Sequence, residues 1–157
     1  MTMIAIALAL HVTAAIIWVG GMFFAYMVLR PVAGQLLEPP VRLQLWSSVF
    51  QRFFVWVWAA VIILPATGYY MIFANFDGFQ FVTLDIHLMQ GIGLLMILLY
   101  LHVFFAPYRR MNQALAENNL EEAKRRLDQI RGIIAINLVL GLVVAVIASG
   151  GRYWPPG

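Results

Sequence analysis

Four long apolar stretches, set apart by polar segments of unequal length, dominate this chain; they cover about 3–29, 53–76, 82–106 and 133–149. Each suits a helix crossing a hydrocarbon core of about 30 Å. The fourth is the shortest and carries one polar residue, Asn137. The pattern predicts an all-α fold, a membrane four-helix bundle forming a single domain over 1–157, with no linker and no internal repeat. The opening run has no basic region before it and is too long for a signal-peptide core, so it reads as a first span.

The two longer polar segments also read as helical. Pro39 and Pro40 suit the first turn of a helix. Val41, Leu43, Leu45, Trp46, Val49 and Phe50 then line one side, as in an interfacial segment leading into the second span. Further on, Asn118 and Asn119 break the pattern and can cap a new helix, with Glu121 and Glu122 three residues later. Glu121–Arg125, Glu122–Arg126 and Lys124–Asp128 have the spacing of ion pairs one turn apart. The third and fourth helices should therefore extend beyond the membrane as a cytoplasmic helical hairpin with a solvated charged face.

Composition agrees with the pattern and charge orients it. Of 157 residues, 63% are hydrophobic and 11% charged, where a soluble domain is about a quarter charged. Arg30, Arg42, Arg52, Arg109, Arg110, Lys124, Arg125, Arg126 and Arg131 all fall in the two longer segments, leaving Arg152 alone on the other side. The positive-inside rule then places both segments in the cytoplasm and both termini outside. Trp46, Trp56 and Trp58 lie toward the inner boundary, and Tyr69, Tyr70, Tyr153 and Trp154 toward the outer one. Basic residues flanking spans point to anionic lipid headgroups as partners and away from nucleic acid.

Candidate chemistry centres on three histidines within the apolar stretches: His11, His87 and His102. Intramembrane ionisable groups are expensive without a partner, and the chain has no cysteine to offer as a ligand. His11 lies about 12 Å into the first span and His87 about 7 to 8 Å into the third, both from the outer side. His102 lies roughly 22 Å beyond His87 along the same helix, too far to share an ion with it. The outer pair, His11 and His87, is thus a candidate ligand pair, while His102 and Asn137 form an inner polar pair at similar depth. Gly91, one turn after His87, and Gly68, Gly20 and Gly21 either let helices pack closely or leave room for a flat macrocycle. Met1, Met3, Met71 and Met89 fall on the outer side, where thioether sulfur can help bind Cu(I). Asp77, Asp85 and Arg152 complete an outer polar set, Arg152 being able to pair with a cofactor carboxylate. No G-x-S-x-G elbow, Walker A sequence or H-E-x-x-H motif is present, and no catalytic residue is assigned.

Two resemblances bear on these residues. The stretch LHVTAAIIWVGGMFFAYMVLRP resembles the opening helix of the copper resistance D (CopD) family of membrane proteins. HLMQGIGLLM, HVFFAPYRR and INLVLGLVVAVIASGGRYW are similar to that family as well. The resemblance implies copper handling at the bacterial inner membrane, with His11 and His87 as copper-site candidates. The layout of His11, His87 and His102 also resembles HemJ-type protoporphyrinogen oxidases, which implies haem b. There the chain departs from the pattern, with Leu88 and Met89 after His87 where a nearby lysine is expected.

Three functions stay open on the sequence. One is copper binding for uptake, tolerance or delivery, through His11 and His87 with Met1 or Met3. Another is a haem b redox protein with His11 and His87 as axial ligands, Gly91 beside the ring and Arg152 near a propionate. The third is a cofactor-free membrane assembly partner. The first two imply a copper donor or a redox partner, and the apolar surface of so small a bundle permits a homo-oligomer.

Overall fold

The computed structural model describes residues 2–76 and 78–153, leaving aside the side chain of Arg152. Four helices make up the molecule: α1 (Met3–Leu36), α2 (Pro39–Phe76), α3 (Leu84–Ala116) and α4 (Leu120–Gly150). There is no strand among the described residues. Each helix contains an apolar window long enough to cross a membrane, so the chain is a multi-pass membrane protein. Short connections at Leu37–Glu38 and 117–119 define one end of the bundle, the hairpin end. The start of α1, the end of α4 and the 78–83 connection lie at the other, the termini end.

All four helices outrun the expected spans, because hydropathy marks only the part of a helix that meets lipid. At the hairpin end α1 continues to Leu36, α2 starts at Pro39, and α3 runs to Ala116. The segment after Pro39 is continuous with the second span, and its apolar side turns inward instead of lying on a lipid surface. Leu43, Trp46 and Phe50 join Ala114 and Leu127 in the core there, together with Met111, Ala123 and Ile130, which are 0% exposed. This end is packed like a soluble bundle, and burial there is hydrophobic in origin.

The turns follow from local chemistry. Asn118 takes a left-handed φ of 55°, and the Asn119 side chain accepts from the Glu122 N–H at 3.1 Å, capping α4. Of the three expected one-turn pairs the hairpin forms Glu122–Arg126, while Arg125 and Asp128 find other partners. Glu122 receives both Arg126, at 2.6 Å, and Arg125, at 3.4 Å, while Asp128 pairs with Arg131 at 3.1 Å. Two wide π-helical turns, Phe24–Leu29 in α1 and Phe104–Tyr108 in α3, adjoin or contain Pro31 and Pro107. A proline ring crowds the preceding turn and offers no N–H, and a widened turn absorbs both defects.

Mid-bundle, aromatic rings knit the helices together. Phe54 stacks on Phe50 at 5.2 Å and meets Tyr100 and Tyr108 edge-on at 5.4 and 4.9 Å. Trp18 of α1 reaches Tyr100 at 6.2 Å, and the Tyr100 hydroxyl donates to the Phe54 carbonyl at 3.3 Å. Glycine is needed where backbones come closest. A Cβ at Gly141 would lie 2.8 Å from Val19 Cγ2, and one at Gly21 would run into the Phe53 ring.

Candidate functional site

α1 and α2 pack side by side, and toward the termini end their seam holds one imidazole. His11 lies half-buried on α1. Opposite it on α2, inside the continuous helix, are Pro65, Ala66, Thr67 and Gly68. Pro65 deprives the helix of one N–H. Two residues on, the Thr67 hydroxyl bonds back to its own helix, donating to the Ile63 carbonyl at 2.6 Å. Its oxygen also stands 2.8 Å from His11 Nδ1.

These two bonds together fix the histidine. A hydroxyl has one proton, and in Thr67 that proton goes to a carbonyl, which cannot return one. In the tautomer that satisfies both bonds at once, Nδ1–H donates to the Thr67 oxygen. The neutral ring then carries its proton on Nδ1 and leaves the Nε2 lone pair free. An imidazole whose second nitrogen is held by a hydrogen-bond acceptor is the usual arrangement of a metal-ligating histidine. Gly68 sets the ring's position from below: a Cβ there would lie 3.3 Å from His11 Cε1 and 3.8 Å from Nδ1.

The other candidates occupy different places. His87 is exposed on α3, in its first turns, with its backbone N–H on the Thr83 carbonyl at 3.3 Å. α3 packs chiefly on α4, so the two outer histidines belong to different helix pairs. Gly91 faces open space, with nothing within 4 Å of a Cβ placed there. Nearby, Gln90 Nε2 donates to the Tyr69 hydroxyl at 3.3 Å, and Asp85 lies against Gly151, tying α3 to α2 and α4. Met3 is 67% exposed at the start of α1. Met1, Asp77 and the Arg152 side chain lie outside the described residues. Among the described residues no three His, Cys, Asp or Glu side chains converge as a metal site, so any coordination sphere at His11 needs thioethers or another molecule's ligands.

At the inner pair, the Asn137 amide donates to the Met96 carbonyl at 3.2 Å rather than to His102, and His102 is exposed on α3. Thr67 is the candidate site residue hidden in the sequence. Its one visible signal is depth: it stands nine residues before the end of α2, matching the eight residues by which His11 follows the start of α1.

Four apolar helices with a single oriented imidazole at a helix seam define a small polytopic membrane protein, with no soluble catalytic domain among the described residues. The family model for Copper resistance protein D (CopD) matches residues 47–150, most of α2 together with all of α3 and α4. The chain belongs to that family. The match covers Thr67, Gly68, His87, His102 and Asn137, and begins after α1 and His11. No curated protein and no solved structure matched the chain.

Proposed function

We propose that this protein binds copper at the termini end of its bundle, for uptake, tolerance or delivery, with His11 Nε2 as the anchoring ligand. The observation that supports this reading is the pair of hydrogen bonds at Thr67, since the tautomer that satisfies both has its Nε2 lone pair free. Membership of a family named for copper resistance supports it. So does the chemistry on offer, imidazole with thioether sulfur and no thiolate, which suits Cu(I). Met71 falls one turn beyond Thr67 on α2, toward the termini. Met3 stands two turns beyond His11, about 12 Å along the axis, a spacing for hand-over rather than for sharing one ion. Met1 extends the same direction in sequence, and exposed His87 is a second landing point on α3. By the positive-inside rule this end faces outward from a bacterial inner membrane, where a copper donor would meet it.

Metal analysis of the purified protein, with Cu(I) titrated against a chromogenic chelator, tests the reading. Wild type should hold copper stoichiometrically and H11A should not. Equal copper retention by both would end it.

A second reading, a b-type haem, draws on the same free His11 nitrogen. It predicts a Soret band in the purified protein, with α and β bands sharpening on dithionite reduction. Absence of both copper and haem after supplementation with each would leave the cofactor-free assembly role.

A further inference from the structure

At the hairpin end Arg30 of α1 and Arg42 of α2 lie within electrostatic reach of Arg131, where the apolar part of α4 begins. Arg131 of α4 is 22% exposed in its side chain, and its guanidinium lies over the Trp46 ring of α2, 5.9 Å from the centroid. The charges of Arg30 on α1 and Arg42 on α2 both bear on it. Arg30 is stacked on Tyr26 at 4.7 Å, and the Arg42 guanidinium lies beside Gly34. Only Arg131 has an acidic partner, Asp128, which is itself 55% exposed; among the described residues neither Arg30 nor Arg42 forms an ion pair.

Two donors in this cluster are buried and unused. Trp46 is 3% exposed, and its indole N–H has no hydrogen-bond partner. Arg131 Nε is buried and likewise unpartnered. Buried donors are normally satisfied, and like charges normally avoid one another. One carboxylate, paired with Arg131 alone, among three guanidiniums, together with two buried N–H groups of the same cluster that have no partner, breaks both rules at one place. A bound anion repairs both.

We propose that Arg30, Arg42, Arg131 and the Trp46 N–H form a binding site for a phosphate-bearing anion. Guanidinium forks match phosphate oxygens two at a time. The cluster sits at the end of the apolar windows, the depth at which an anionic lipid presents its headgroup. A free phosphate offers the same oxygens, and the test separates the two sources.

The full chain, purified in mild detergent and stripped of lipid, is titrated with phosphatidylglycerol, with phosphatidylcholine and with inorganic phosphate. Thermal unfolding and native mass spectrometry give the readout. Arg131 is packed on Trp46, so the variants are R30Q and R42Q, with W46F removing the N–H while keeping a ring. R110Q, an exposed arginine at the same end and outside the cluster, is the control. Phosphatidylglycerol should stabilise wild type more than phosphatidylcholine does, and each of R30Q and R42Q should weaken it about fivefold. R42K keeps the charge without the fork and should fall between R42Q and wild type. W46F should weaken binding and R110Q should not. Equal protection by inorganic phosphate would identify a free anion as the source. No response to either anion, or an R110Q loss as large as that of R42Q, would overturn the site.

Discussion

Thr67 takes a hydrogen bond from His11 with the same oxygen whose proton it gives to Ile63, so α2 dictates which nitrogen of an α1 histidine is free. Replacing Thr67 by Val keeps the shape and deletes the acceptor. Losing the partner of a ligating histidine commonly costs about 10- to 100-fold in metal affinity. T67V should show a fall of that size in Cu(I) affinity against a competing chelator, and T67S should retain most of it. Copper binding unchanged in T67V would mean that Thr67 does not orient a ligand.

Residue counting along the chain measures depth and nothing else about this site. Depth along a helix is fixed at 1.5 Å per residue, so His11 and Thr67 fall at similar depth by sequence position alone. The side of a helix that faces a neighbour depends on which helices pair, and hydropathy does not report that. His11 and His87 therefore look alike by depth, yet one lies in the α1–α2 seam and the other is exposed on α3. Thr67 is silent in the sequence for a further reason. A threonine that bonds back to its own helix is tolerated in an apolar span and sends no polar signal of its own.

The glycines separate close packing from open space, and alanine substitutions should rank accordingly. Gly20 has nothing within 4 Å of a Cβ, so G20A gains helix propensity, up to about 1 kcal/mol, at no steric cost. At Gly68 the same gain is set against a 3.3 Å approach to His11 Cε1, which the ring must yield to by a few tenths of an ångström. G68A should stay near wild type in stability while shifting the imidazole and weakening copper. At Gly141 the added carbon meets Val19 at 2.8 Å and Met96 at 3.2 Å, an overpacked crossing that costs about 1–3 kcal/mol. Unfolding in mixed micelles should give G20A at or above wild type, then G68A, then G141A. G141A as stable as G20A would show that the α1–α4 crossing can relax around an added methyl group.

Capping and charge at the hairpin make unequal contributions. Asn119 satisfies a backbone N–H at the start of α4, and N119A should cost about 0.5–2 kcal/mol. The Glu122 pairs are exposed or half-exposed and worth about 0.2–1 kcal/mol. E121A should be nearly silent, since among the described residues Glu121 makes no ion pair. The i,i+4 spacing offered Arg125 to Glu121, but an arginine reaches equally well to i−3, and Glu122 gathers both neighbouring guanidiniums. A larger loss in E121A than in N119A, by the same unfolding measurement, would reverse this order.

Asn137 is buried in the middle of the bundle with its amide on the Met96 carbonyl and its own oxygen unpartnered. Beside it is a cavity of about 20 Å³ lined by Trp18, Phe54, Tyr100 and neighbours, room for about one water by volume. A side-chain hydrogen bond between membrane helices averages about 0.6 kcal/mol, and Met96 keeps its second lone pair for the helix. Leucine at this position removes the idle acceptor and fills space, so N137L should lie within about 1 kcal/mol of wild type. N137D puts a charge beside the Met96 carbonyl, an acceptor, with no donor to meet it, and should lose about 2.5–3.5 kcal/mol or take up a proton. His102 is exposed and plays no part in this bond, so H102L should leave stability unchanged and should not alter the effect of N137L when the two are combined. Coupling between the two substitutions beyond about 0.5 kcal/mol would show that the inner pair interacts after all. A stable N137L that no longer binds copper would show that the asparagine serves function rather than folding.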